Sequence, residues 1–163
     1  MKVADVRLRS ETNADVPFLR KLFGTTRIDV TFSSLPDQQK QQFIEMQFVA
    51  QRQHYRKTYQ NAQFLIIESG EKRIGRLYLS RMESEIRIMD ITLMPEARGN
   101  GIGSKLIRDV QDEARASGLA VTLHAERMGQ MSAYYERFGF EVVEEKEAHF
   151  FMKWNPKSVL IIE

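Results

Sequence analysis

The chain has no cysteine, one tryptophan and four prolines in 163 residues. Without cysteine there is no disulfide, no thiolate metal site and no cysteine nucleophile, and no metal site is expected. No apolar run approaches the ~20 residues that span a bilayer, and the opening MKVADVRLRS lacks the charged-then-apolar order of a secretory leader. No membrane partner and a cytoplasmic location are therefore expected. Neither charge sign dominates: Lys+Arg 24 against Asp+Glu 22 gives +2, so nothing recruits nucleic acid through a global basic field. What is present is 42% hydrophobic residues, enough for one compact domain over 1–163 with its core in about 3–154.

Alternation over Val3–Ser10 predicts a half-buried strand with Val6 and Leu8 inward. Thr12 with Asp15 resembles a capping box, with Pro17 in the first turn of a helix over 14–23 that Gly24 ends. Residues 25–35 read as a loop, and Ser34, Pro36 and Asp37 as a second helix start of the same kind. A long helix to about Tyr59 carries one stripe through Ile44, Phe48, Gln51 and Tyr55 and another through Phe43, Met46 and Ala50. Ala62–Glu68 and Arg73–Met82 read as a hairpin around SGEK. Glu85–Met94, the loop PEARGNG, a helix from about Gly101 to Ser117 with an apolar stripe of Ile102, Leu106, Ile107, Val110 and Ala114, and the strand Leu119–Ala125 form a strand–helix–strand crossover with a parallel pair. A short helix over Gln130–Phe138 and two strands in FEVVEEKEAHFFMKW follow. The apolar tail at 155–163 suggests an extra strand or an oligomer contact, as in a homodimer. The fold class is α+β, a mixed, mostly antiparallel sheet of about seven strands with about four helices.

The stretch from Ile86 to Gly118 is the most informative. Glycines at 99, 101 and 103 remove Cβ atoms where a helix begins, so that consecutive backbone N–H groups and the helix dipole can close on an anion, with Arg98 and Lys105 adding charge. The spacing is not that of a Walker A loop, because Lys105 has neither a Gly before it nor a hydroxyl after it. A dinucleotide fingerprint begun at Gly99 ends on Ser104, and one begun at Gly101 ends on Leu106, so that motif fails as well.

Arg98-x-x-Gly101-x-Gly103 and Ala133-Tyr134-Tyr135-Glu136-Arg137-Phe138-Gly139-Phe140, at their separation, resemble the two motifs of the GNAT superfamily of acetyl-CoA-dependent N-acyltransferases. The resemblance implies a GNAT-like sheet with a parallel splayed strand pair at the cofactor cleft, and acetyl-CoA as acyl donor. It places the pyrophosphate on Arg98, Gly99, Asn100, Gly101, Ile102, Gly103 and Ser104, and the pantetheine arm along the backbone of Ile91, Thr92 and Leu93. Tyr135 matches the family's general acid, since a phenol of pKa ~10 can protonate a leaving thiolate. Tyr134 is read as packing. The Asn that many relatives carry six or seven residues earlier is replaced by Met128 or Gly129.

The general base stays open among Asp90, His124, Glu126 and an ordered water. The acceptor pocket the resemblance implies points to Glu45, Arg52, His54, Tyr55, Arg76 and Tyr78. The function so implied is transfer of acetyl to a primary amine, on a small molecule or a peptide, by direct attack in a ternary complex. The alternatives are a non-catalytic acyl-CoA-binding or sensing module of the same fold, and a different nucleotide-binding protein using the same loop.

Overall fold

The computed structural model describes residues 2–157, so most of the tail at 155–163, expected as an added strand or interchain contact, lies outside the described residues. The elements in order are β1 (Val6–Ser10), α1 (Val16–Gly24), α2 (Ile28–Thr31), α3 (Asp37–Thr58), β2 (Ala62–Ser69), β3 (Lys72–Arg81), β4 (Glu85–Leu93), α4 (Ile102–Ser117), β5 (Ala120–Glu126), α5 (Met131–Glu136), β6 (Glu141–Glu145) and β7 (His149–Trp154). Short 3-10 turns occupy Val3–Asp5, Asn13–Asp15 and Pro95–Ala97. The strands form one seven-stranded sheet in the order β1-β2-β3-β4-β5-β7-β6. The fold is the expected mixed α+β arrangement with one parallel pair, β4 and β5, and with five α-helices among the described residues where about four were expected.

The chain divides into two compact units: one takes in the chain up to Tyr78 together with Asp90–Ile102, the other Leu79–Met89 together with the chain from Gly103 onward. In the first, Leu19, Phe23, Phe48 and Ile66 form a buried apolar cluster, with Val16, Phe18 and Ile44 packed against it. The Thr12–Asp15 capping box is present, and Asp15 is fixed further by a two-pronged pair with Arg9, both contacts at 2.8 Å.

Several expectations are corrected in this unit. The first strand begins at Val6 because Val3–Asp5 is a 3-10 turn, and Leu8 is exposed. The sheet order puts β1 at an edge, and ion pairs to Asp15 and Glu68 draw Arg9, rather than an apolar neighbour, into partial burial. Gly24 lies inside α1 with no left-handed φ; the turn is completed beyond it by Thr25 and Thr26, whose hydroxyls donate to Leu22 O and Phe23 O. The loop at 25–35 contains α2. The start of α3 has Pro36 at its cap and no side-chain cap, so Ser34 does not repeat the first motif. The stripe of Phe43, Met46 and Ala50 faces out, and only Phe48 of α3 is fully buried.

In the second unit the expected stripe of α4 (Leu106, Ile107, Val110 and Ala114) is buried, as are Ile86, Ile88, Val121, Leu123 and Met152 of the strands. The parallel ladder runs from Glu85↔Ala120 to Ile88↔Leu123 and ends short of the ends of both strands. β7 pairs antiparallel with β5, so Val121, Leu123 and Ala125 lie on one face and Thr122, His124 and Glu126 on the other. Gln111 ties α4 to the segment after α5, donating to Phe138 O at 2.9 Å.

Candidate active site

The loop after β4 is shaped by its glycines. Gly99 and Gly101 both take φ of +79°, the left-handed region that a side chain resists, and a Cβ at either would meet almost nothing. The constraint there is conformational. Arg98 Nε donates to Leu93 O at 3.1 Å, and Asn100 Nδ2 donates to Ala97 O at 3.1 Å and Arg98 O at 3.3 Å, so two predicted ligands spend side-chain donors on holding the loop. Among the described residues the N–H groups of Gly99, Asn100 and Gly101 donate to no backbone carbonyl, and those of the first turn of α4 have no helical partner by construction. Unspent donors in sequence at a helix start suit an anion.

At the next turn Ser104 Oγ lies 3.1 Å from the Tyr134 hydroxyl. Tyr134 therefore does more than pack: its hydroxyl reaches α4, while its ring meets Phe138 at 5.2 Å and Tyr135 at 5.5 Å. Tyr135 is buried, edge-on to Phe140. The acids of α4 are committed to other cations, Asp109 to Lys105, Asp112 to Arg115 and Glu113 to Arg81. Arg108, stacked over Phe138, and Arg137, stacked over Tyr134, have no acid partner among the described residues.

Residues of the first unit form a second polar group. Arg76, 2% exposed, donates through Nη2 to Asp90 Oδ2 at 2.7 Å and Gln51 Oε1 at 2.8 Å, with its guanidinium 4.9 Å from the Tyr78 ring. Asp90 also accepts from Thr92 Oγ1 at 2.5 Å and from the Tyr55 hydroxyl at 3.5 Å. Beside it the Glu11 carboxylate takes the Tyr78 hydroxyl at 2.5 Å, Arg56 at 3.0 Å and Arg52 at 3.2 Å. Tyr55, Tyr78 and Phe64 meet edge-on. Burial first, and then the neighbouring carboxylates, push the Tyr55 and Tyr78 phenols well above their usual range, so both stay neutral donors. Burial works against the charge on Arg76, but the Asp90 carboxylate outweighs it and holds the group cationic. A Cβ at Gly75 would collide with Thr92 O, so glycine is what lets β3 approach β4 this closely.

The structure thus brings together Arg52, Tyr55, Arg76, Tyr78, Asp90 and Thr92 of the sequence candidates. Glu45 is outside this group, paired with Arg20 at 2.6 Å, and His54 is exposed, with Thr58 Oγ1 3.4 Å from its Nδ1 and the Tyr55 ring 6.1 Å from its own. Of the base candidates, Asp90 is tied to Arg76. His124 is an exposed residue near the end of β5, and partial burial, then Lys146 and Arg87, lower its pKa and favour its neutral form. Its Nε2 is 3.2 Å from Lys146 Nζ. Glu126 is exposed at the end of the same strand. Sequence reasoning missed Glu11, Gln51, Arg56 and Phe64. Gln51 sits on the predicted stripe of α3, so its inward position was the one available signal; nothing in the residues around Glu11 marks it.

The match to known proteins agrees with this layout. Residues 32–154 match the acetyltransferase (GNAT) domain family. The chain belongs to the GNAT acetyltransferases. It is similar in fold to the PaiA N-acetyltransferase of Thermoplasma acidophilum, solved with coenzyme A, at TM-score 0.70 and 15% identity over 92% of this chain and 98% of that one. An acetyltransferase of Streptococcus agalactiae gives 0.64 and 21% over 93% and 98%. A Corynebacterium glutamicum protein described as histone acetyltransferase HPA2 and related acetyltransferase gives 0.64 and 18% over 96% and 99%. No curated protein sequence matches the chain.

Proposed function

We propose that the chain is an acetyl-CoA-dependent N-acetyltransferase that acetylates a primary amine by direct attack in a ternary complex. The observation that carries the reading is the loop Arg98–Gly103, where two left-handed glycines and unspent N–H donors open a helix between two parallel strands. Those donors, with Arg98 beside them, fit a diphosphate, and the Thermoplasma acidophilum neighbour was solved with coenzyme A. The bound thioester supplies the acyl group. In this reading Gly99, Asn100, Gly101, Ile102, Gly103 and Ser104 hold the pyrophosphate. The main chain of Ile91, Thr92 and Leu93 aligns the pantetheine arm and donates to the thioester oxygen. Tyr135 protonates the departing thiolate. The amine loses its proton to Asp90, His124, Glu126 or a water. The absence of cysteine excludes an acyl-cysteine route within the chain.

The second reading, a non-catalytic acyl-CoA-binding or sensing module, is favoured by one observation: Asp90, the base candidate nearest the pantetheine strand, is already engaged by Arg76, Thr92 and Tyr55. Calorimetry with acetyl-CoA, ATP and NAD, followed by thiol release over a broad amine panel, separates the possibilities. Acetyl-CoA binding with turnover is expected. Binding without turnover favours the module, and tighter binding of ATP or NAD overturns both.

A further inference from the structure

We propose that the acceptor is an α-amino carboxylate, and that its carboxylate is read by Arg76 and its amine by Asp90; the proposal rests on the acetyltransferase reading. The guanidinium of Arg76 has five N–H donors. Both on Nη2 are used, by Gln51 and Asp90. Nε and Nη1 are buried and have no hydrogen-bond partner among the described residues. A buried charged group with unmade hydrogen bonds is costly, so an oxygen acceptor stabilises this one.

Charge selects the kind of oxygen. The group contains three permanent cations, Arg52, Arg56 and Arg76, against two carboxylates, Glu11 and Asp90. The surplus is positive, which favours an anionic oxygen over a neutral carbonyl and disfavours a polyamine. The ion pair also selects what must stand beside that oxygen. In an α-amino acid the ammonium and carboxylate are one carbon apart, and Asp90 Oδ2 lies 2.7 Å from the guanidinium whose Nε and Nη1 are open, so an amine held by Asp90 stands close to a carboxylate held by Arg76. A zwitterion laid antiparallel to the pair meets each charge with its opposite. Asp90 accepts from Arg76, Thr92 and Tyr55, and a carboxylate has about four acceptor positions, so one remains for the amine. Asp90 and Thr92 flank Ile91 in the segment assigned to the pantetheine arm, which puts the pair next to the strand the acyl donor is expected to follow.

The test uses the full chain with acetyl-CoA and measures thiol release on the common α-amino acids, their amides, their decarboxylated amines and spermidine. We expect at least one amino acid to exceed its amide and its decarboxylated amine in kcat/KM by about a hundredfold or more, as when a buried polar group is left unpaired by an analogue. Arg76→Gln should shrink that ratio to a few-fold, and Arg76→Lys to an intermediate value. Melting and acetyl-CoA calorimetry show whether each variant is folded. Amides, simple amines or spermidine turned over as well as amino acids, or an undiminished ratio in the folded variants, overturns the proposal while leaving the acetyltransferase reading intact. Absence of acetyl-CoA binding overturns that reading instead. If no amine is turned over, or the variants do not fold, NMR of the wild-type Arg76 Nε–H decides. A shift with amino acids but not with their amides supports the proposal; no shift means that the donors hold a buried water only, and overturns it.

Discussion

The loop Arg98–Gly103 and the group around Arg76 are built from different materials. The loop offers main-chain N–H groups, and its side chains mostly hold it in shape, as Asn100 does with Ala97 O and Arg98 O. The Arg76 group is made of side chains from Glu11, α3, β3 and β4, and its geometry depends on each carboxylate finding its cation. A main-chain site tolerates most changes except those that alter φ. A side-chain site buried in low dielectric fails when any one partner is removed. The difference fits the roles proposed: one part meets a constant diphosphate, the other chooses among acceptors.

The largest effect should come from the side-chain region. Asp90→Ala leaves the cation of Arg76 buried and unpaired, and should cost about 3–5 kcal/mol in urea-induced unfolding. A loss below about 1 kcal/mol would show that the pair is not the buried unit described. Gly101→Glu tests the main-chain region. It forces a side chain into a left-handed φ and sets a carboxylate against the pyrophosphate, so calorimetry should show acetyl-CoA affinity reduced at least about a hundredfold. Retained affinity would mean that the loop is not the cradle.

The Arg9–Asp15 pair probes side-chain dependence away from the site. The Arg9 guanidinium lowers the Asp15 carboxyl from 3.8 to about 2. A depressed carboxylate stabilises the fold above its unfolded pKa and loses that contribution as pH falls through the folded value. About 2 kcal/mol should therefore disappear between about pH 4 and pH 2, and a pH series of unfolding curves for wild type and Asp15→Asn measures it. Smallest should be Tyr135→Phe: a fall in kcat of about tenfold with acetyl-CoA affinity nearly unchanged. Full activity would remove Tyr135 from the acid role.

How much was legible follows the same division. Glycine spacing is itself the chemistry of the loop, so 99, 101 and 103 could be read directly, and the α4 stripe could be read because a helix repeats its neighbours every three or four residues. The Thr12–Asp15 box was legible for the same local reason. The apparent repeat at Ser34–Asp37 was not, because Pro36 took the cap position. Phe43 and Met46 keep the helical period yet stay exposed, since period alone does not say which stripe finds a partner. Glu11 had no local signal; its role comes from Tyr78, Arg52 and Arg56, far from it in the chain.

The sequence by itself determined the order of the strands and of every helix but α2, the glycine loop after β4 and the family, because each rests on spacing within a few residues or on two short motifs. Only the tertiary structure decided that Arg76 pairs with Asp90 while keeping Nε and Nη1 unpartnered among the described residues, that Tyr134 reaches Ser104, and that Glu45 and His54 stand outside the group. Those outcomes depend on long-range pairing of charges under burial, where the partner that comes within about 3 Å is fixed by the packing of other elements and not by neighbours in the chain.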